Sequence, residues 1–376
     1  MKGLVVYYSA TGNTKKIAKA IWRGMKEIIE TDLASVKEIS PQDVAGYDVI
    51  GIGAPIWYFR EPANVRLFIY NMPRLDGKMC FTFCSHGADP MGIFFSMMPV
   101  LQKKGLSIIG WGNWYGGVEQ VLHAPKPYFT DGHPDEIDLK EAEAFGREMA
   151  ERAGRIAAGE RDLIPAIPKG AKADPLFRPA LPPEGAVIPE RWVDREKCKY
   201  PECTLCLDNC PVHAITSSAK GPVFRKNCIN CNLCNRMCPE DAIEMDPEIR
   251  WRSLTQKRID MTKCIYPECT LCVDHCAMNS IDFSGDSPVI KRNCEGDDLC
   301  WVICPKDAIE LLNIEDIHLK LYGFFLQEKE NHGFLKHLAE AEAEGKFRRL
   351  VPLDKVGWDN PVFKKQNVPR FVPEED

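Results

Sequence analysis

Between residues 1 and 163 the chain alternates short apolar runs with longer amphipathic stretches. The runs at 3–8, 49–53, 79–84 and 107–112 are rich in Val, Ile, Phe and Gly, as strands buried on both faces are, and a weaker run at 32–36 makes a fifth. Apolar positions recur at helical spacing over 15–30, 63–71, 91–104 and 134–158. Strand and helix in alternation predict a parallel sheet covered on both faces, and such sheets bind ligands beyond the carboxyl ends of their strands. Over 164–196 seven prolines (Pro165, Pro168, Pro175, Pro179, Pro182, Pro183 and Pro189) prevent regular helix and predict an extended linker. That linker is either a semi-rigid spacer or a strap laid across the first domain. Helical periodicity returns at 313–346, and a stretch with Pro352, Pro361, Pro369 and Pro373 follows without a period. Tyr322, Phe324 and Phe325 in this tail either pack on the protein's own body or form a docking surface.

Composition narrows the function. The 376 residues carry a net charge of −6, which provides no basic footprint for nucleic acid or for an anionic membrane surface. No stretch of membrane-spanning length is free of charge. The first residues lack the apolar core and cleavage site of an export signal, so the seventeen cysteines point to metal chemistry in a reducing cytoplasm.

Fifteen of those cysteines fall between Cys198 and Cys304, and they form two copies of one pattern. Cys198, Cys203, Cys206 and Cys210 recur 66 residues later as Cys264, Cys269, Cys272 and Cys276. Cys228, Cys234 and Cys238 recur as Cys294, Cys300 and Cys304, whereas Cys231 is answered by Asp297. Each half reads C-x4-C-x2-C-x3-C followed by C-x2-C-x2-C-x3-C-P, with that aspartate as the exception. This is the bacterial ferredoxin run with two extra residues in its first loop. Three closely spaced thiolates can face three irons of one cubane, and in that run the fourth ligand comes from the other motif. The rule groups Cys198, Cys203 and Cys206 with Cys238, and Cys228, Cys231 and Cys234 with Cys210. It also groups Cys264, Cys269 and Cys272 with Cys304, and leaves Cys294, Asp297 and Cys300 with Cys276. At this last site a carboxylate, a harder ligand than thiolate, gives either an oxygen-ligated [4Fe-4S] cluster or a [3Fe-4S] cluster; alternatively Asp297 only caps a loop.

Other uses of cysteine fit less well. Structural zinc closes a site with two pairs and has no use for triplets plus a remote C-P. A disulfide framework needs an oxidising compartment. Plant-type [2Fe-2S] spacing explains the start of each half but leaves its second motif unused.

The stretch "SATGNT" at 9–14 leaves the first apolar run and opens a helix. Ser9, Thr11 and Thr14 offer hydroxyls, Ala10, Gly12 and Asn13 offer amides, and the helix terminus adds partial positive charge, a combination suited to phosphate. No Walker lysine is present, which argues against nucleoside triphosphates, and no complete GxGxxG marks a nicotinamide site. The stretch resembles the phosphate loop of flavodoxins, which bind flavin mononucleotide (FMN). That resemblance implies a ring site between "GAPIWYFREP" at 53–62 and "CSHGADPMG" at 84–92. Pro55, Ile56, Trp57, Tyr58 and Phe59 would line one side, Trp57 and Tyr58 being favoured against the ring face. Ser85, His86, Gly87 and Ala88 would line the other, with His86 and the two following amides at the pyrimidine end. Cys80 and Cys84, on one face of their run, read as buried small residues.

The combination resembles a family of flavodoxin and ferredoxin fusions, over residues 1 to about 311. It implies a flavodoxin-like doubly wound α/β sheet at 1–163, a linker at 164–196, two small α+β ferredoxin-like modules at 197–248 and 249–312, and a helical and extended tail at 313–376. The expected function is intracellular electron transfer in an anaerobic setting. FMN would be linked to four iron–sulfur clusters and to a redox partner, with a larger oxidoreductase complex as its setting. A flavin reductase of a small substrate, with His86 or Tyr115 as acid or base, and an assembly subunit are the alternatives.

Overall fold

The computed structural model describes residues 1–57, 60–88, 90, 92–118, 127–167, 191–210, 213–225, 228, 232–245, 256–285, 287–312 and 333–357. The chain divides into two compact units, one of residues 1–114 and 134–244, the other of 115–133 and 245–376.

The first unit is built on five strands, β1 (Lys2–Tyr7), β2 (Glu30–Ser35), β3 (Val49–Pro55), β4 (Met79–His86) and β5 (Ser107–Tyr115), with only the last residue of β5 outside it. They form a parallel sheet in the order β2-β1-β3-β4-β5. The helices are α1 (Asn13–Lys26), α2 (Ala63–Asn71), α3 (Ile93–Lys103) and α4 (Glu136–Ala157). The expected doubly wound flavodoxin-like sheet is therefore present, with a reversal of strand order at β1 and β3, where such sheets bind ligands. Helix α1 ends earlier than the periodicity suggests. Ile28 and Ile29 both donate backbone hydrogen bonds to Met25 O, turning the chain into β2.

The core explains two features of the sequence. Gly51 and Gly53 lie in β3 opposite Phe81 and Phe83 of β4, and a Cβ there would fall 2.3 and 2.1 Å from those rings. The "GIG" of this strand makes room for phenylalanines. Helices α1 and α4 meet at two more glycines: a Cβ on Gly24 would lie 1.9 Å from Glu143 O, and one on Gly146 would lie 2.1 Å from Ile21 O. This close approach buries Ile17, Ile21, Met25, Met149 and Ala150 against Val5, Phe81 and Phe83. A capping box starts α4. The Asp135 carboxylate accepts from the amides of Ile137 and Asp138, while Asp138 accepts from the Asp135 amide.

The first cysteine-rich module contains β6 (Arg191–Val193), α5 (Leu205–Asp208), β7 (Ile215–Thr216), β8 (Val223–Phe224), α6 (Leu233–Met237) and β9 (Ile243–Met245). The second contains β10 (Lys257–Ile259), α7 (Leu271–Asp274), β11 (Ile281–Asp282), β12 (Val289–Ile290), α8 (Leu299–Ile303) and β13 (Ile309–Leu311). Every element recurs 66 residues on. So do the left-handed residues His213, Asn232 and Asp241, as Asn279, Asp298 and Asp307. In both modules the first strand pairs with the last and the two middle strands form a hairpin. Strand β6 falls inside the span expected to be linker, so the first module begins at Arg191 and not at 197: its strand is needed to pair with β9. Within the first unit α2 lies beside α6.

Most of the proline-rich segment, and residues 313–332 with Tyr322, Phe324 and Phe325, lie outside the described residues, as do Pro361, Pro369 and Pro373. Of the helix expected over 313–346, the described part is α9 (Gly333–Ala343). No helix among the described residues is long and apolar enough to cross a membrane.

Candidate cofactor sites

At the carboxyl end of β1 the backbone turns through Gly12, at φ 100°, into α1. Gly12 accepts from the Lys16 amide at 2.9 Å and gives its own N–H to Ser9 Oγ at 3.1 Å. No side-chain hydrogen bond caps α1 and its first turn contains no acid, so the partial positive charge of its N-terminus is not offset by a carboxylate of that turn. A Cβ placed on Gly12 would meet nothing within 4 Å. Ser9, Ala10, Thr11 and Gly12 are half-buried, while Asn13 and Thr14 are buried. The Thr14 hydroxyl shares a 2.7 Å hydrogen bond with the hydroxyl of Ser85 at the end of β4. A hydroxyl-and-amide cradle with open space beside its glycine and no acid in the first helical turn fits a phosphate.

Two further loops leave the same end of the sheet. After Pro55 and Ile56, Trp57 is buried with its ring edge-on to Tyr8 at 5.6 Å, and its backbone pairs with Arg60. Tyr58 and Phe59 lie outside the described residues. At the end of β4, His86 is buried and its Nε2 is 2.8 Å from Asn113 Oδ1 on β5; Gly87 and Ala88 follow. Asn113 was not a sequence candidate, and β5 gives no local signal for it. Behind the second loop Glu61 and Arg66 form a fully buried ion pair at 2.6 Å, and Arg66 also donates to Ser96 O at 2.9 Å. The Tyr115 ring meets that of Phe347 at 4.7 Å and a tilt of 49°, both residues belonging to the second unit.

In the first module Cys198, Cys203, Cys206 and Cys238 line one small cavity together with Leu205 and Ile243. In the second, Cys264, Cys269, Cys272 and Cys304 line the equivalent cavity. Each cavity thus joins one triplet to the remote cysteine of the following motif. Burial, and then the crowding of Cys238, Cys198 and Cys203, pushes the Cys206 thiol up to about 12. Cys272 is pushed up to about 11 by burial and by Cys304, Cys264 and Cys269. Four half-buried sulfurs that oppose one another's ionisation are a donor set suited to a polycationic cluster. The last cysteine of each motif also accepts an amide four residues on: Ala214 to Cys210 at 3.1 Å, Ala242 to Cys238 at 3.3 Å, Ser280 to Cys276 at 3.2 Å and Ala308 to Cys304 at 3.3 Å.

Cys228 and Cys234 belong to the other triplet of the first module; Cys231 lies outside the described residues. In the second module Asp297 is half-buried near Cys300, and its Oδ1 accepts the Leu299 amide at 3.2 Å. Burial pushes its carboxyl up to about 6, against the pull of Lys257. A cation stands at this site in each module. Arg191 donates toward Cys234 Sγ at 3.8 Å and to Asn232 Oδ1 at 2.5 Å. Lys257 lies 4.0 Å from Cys294 Sγ and 2.6 Å from Asp298 Oδ1. Sequence reasoning missed these pairs, although they keep the 66-residue offset, because Arg191 and Lys257 precede the cysteine motifs while Asn232 and Asp298 are spacer residues within them.

Two families match the chain: a flavodoxin domain over residues 4–91 and a 4Fe-4S dicluster domain over residues 227–280. The chain therefore joins a flavodoxin domain to a 4Fe-4S dicluster domain. Flavodoxin of Aquifex aeolicus is 28% identical over 186 residues, spanning 45% of this chain and 95% of its own. An NAD(P)H dehydrogenase (quinone) of Archaeoglobus fulgidus is 25% identical, spanning 41% of this chain and 97% of its own. The solution structure of two-electron reduced Megasphaera elsdenii flavodoxin is 23% identical, covers 40% of this chain and 98% of its own, and superposes with a TM-score of 0.32. The fusion is an electron-transfer protein with FMN and at least one 4Fe-4S cluster.

Proposed function

We propose that this fusion moves electrons between FMN and a redox partner protein, within a larger oxidoreductase complex, by way of four iron–sulfur clusters. The observation that carries the reading is the convergence, in each module, of one triplet and the remote cysteine of the next motif on a single cavity. The remaining two sites would be held by Cys228, Cys231, Cys234 and Cys210, and by Cys294, Asp297, Cys300 and Cys276. FMN exchanges one or two electrons and each cluster one, so together they convert between the two kinds of chemistry.

The chain's own residues hold and tune these groups. Ser9, Thr11 and Thr14, with the amides of 10–13, would hold the phosphate. Pro55, Ile56 and Trp57, with Tyr58 and Phe59, would cover one side of the ring. Ser85, His86, Gly87 and Ala88 would cover the other, Asn113 fixing the His86 imidazole. The bond from Leu299 orients the Asp297 carboxylate, which would serve as an oxygen ligand or leave a three-iron site. The contact of α2 with α6 supports a short path from the flavin loops toward Cys234 in the first unit. The domains of this reading are 1–163, a linker to 190, modules from 191 and 257, and the tail from 313.

Anaerobic purification tests the reading: FMN near one per chain and iron near about sixteen, with matching sulfide, are expected. Stopped-flow reduction should then show flavin and clusters equilibrating on one timescale; isolated centres, or zinc in place of iron, would overturn it. Relatives named as quinone dehydrogenases favour a second reading, a flavin reductase of a small substrate, which turnover by the isolated protein would establish.

A further inference from the structure

The tail returns to the segment that leaves β5, and side chains and backbone both hold it there. Helix α9 ends in a left-handed turn at Gly345, φ 71°, with the amides of Lys346 and Phe347 bonded to Ala341 O at 2.8 and 3.1 Å. That turn delivers Phe347, only 2% exposed, to the rings of Tyr115 at 4.7 Å and His133 at 5.9 Å. His133 Nε2 donates to Arg348 O at 2.7 Å, and the Gly357 amide donates to Pro127 O at 2.9 Å. His133 O accepts the Gly117 amide at 3.0 Å, which closes the segment back onto the end of β5. Tyr115 is the last residue of that strand. Alternation along the strand puts it on the same face as Asn113, whose Oδ1 accepts from His86 Nε2 at 2.8 Å. The end of one strand thus carries both the seat of the tail and the support of a residue in a ring loop.

We propose that residues 347–357 form a clasp whose docking is coupled through β5 to the binding of FMN, so that flavin tightens the clasp and the clasp tightens flavin. Flavin against His86 limits the motion of Asn113, and Phe347 limits that of Tyr115. Each event removes freedom that the other would otherwise have to remove. Linkage makes the effect reciprocal, so it is readable at either end. Phe347 and Asn113 are positioning residues, and Tyr115 serves as a docking residue and not as an acid or base. The proposal rests on the reading of the first domain as an FMN site.

The test uses the full-length protein, flavin-free and loaded with FMN, and reads hydrogen exchange by mass spectrometry. FMN should slow exchange along 347–357 by about fivefold or more, with 257–312 unchanged as an internal reference. Phe347→Ala should weaken FMN binding, titrated by fluorescence quenching, by a similar factor. Asn113→Ala decides the route: it leaves the tail and its seat unaltered, and should abolish the protection that FMN gives the tail. Protection below about twofold in the unaltered chain would overturn the proposal, as would an FMN affinity of Phe347→Ala within about twofold of the parent. Protection that survives Asn113→Ala would overturn it too. Should Phe347→Ala fail to fold, exchange in the unaltered chain and in Asn113→Ala still decides. If the unaltered protein takes up no FMN, the flavin reading of the first domain falls, and the coupling with it.

Discussion

Thr14 and Ser85, 71 residues apart in sequence, join their hydroxyls in a buried 2.7 Å hydrogen bond. The bond ties the first turn of α1 to the end of β4, so the phosphate cradle and a ring loop are held by one contact. A hydrogen bond of this kind contributes about 1 kcal/mol net. Ser85→Ala should therefore weaken FMN binding by up to about tenfold, through loss of the tie alone. Thr14→Val removes the tie and a phosphate donor together and should cost more. Titration of the flavin-free protein by fluorescence quenching measures both; equal losses would mean that Thr14 acts only through Ser85.

Glu61 and Arg66 are both removed from water, and each is the other's compensation. Glu61→Gln should destabilise the protein by about 3–5 kcal/mol, because it leaves a buried guanidinium without its carboxylate. Pairing Glu61→Leu with Arg66→Met should recover much of that loss. Urea unfolding of the single and double variants gives the answer, and additive losses would count against a buried pair.

Gly24 and Gly154 lie on the two helices that pack together, yet substitution should move them in opposite directions. Gly24→Ala places a methyl 1.9 Å from a carbonyl oxygen and should cost about 3 kcal/mol, since backbone has to shift. Gly154→Ala meets nothing within 4 Å and should stabilise α4 by up to about 1 kcal/mol. Thermal unfolding distinguishes the two.

Glu143 receives hydrogen bonds from Arg23 at 3.1 Å and Arg147 at 3.3 Å, and these hold its carboxyl below the usual range. A lowered carboxyl adds stability above its unfolded pKa and loses it as the pH falls through the folded one. Glu143→Gln should therefore be less stable than the parent at neutral pH, and the gap should close below pH 4.5. Denaturation midpoints across that range check it.

Asp297→Cys restores the sulfur that the first module has at Cys231. One cluster should change its potential, its resonance signal and, if a three-iron site is present, its iron content, with the other three unaltered. Four signals identical before and after the change would show that Asp297 only caps its loop.

The strands and helices of the first domain were legible because residues buried on both faces leave continuous apolar runs, and the cysteine sites because metal ligands impose rigid spacing. Other features were hidden for physical reasons. Gly51 and Gly53 imitate a nucleotide loop and make room for Phe81 and Phe83, a relation set by the pairing of β3 with β4. Glu61 and Arg66 read as solvent-facing charges until the packing of α2 and α3 encloses them. Asn113 finds His86 across two strands, and nothing nearby in sequence announces it. Arg191 and Lys257 precede the first cysteine of their motifs, and only the fold brings them to the sulfurs of Cys234 and Cys294.

That pairing of first with last strand means the polypeptide enters and leaves each module side by side, about 5 Å apart. Such a unit closes on itself like a bead whose thread emerges from a single hole. A second copy can be spliced in behind the first without prising open either set of ligands, so electron-carrying capacity can grow by whole beads while the flavin-binding sheet upstream is left as it was.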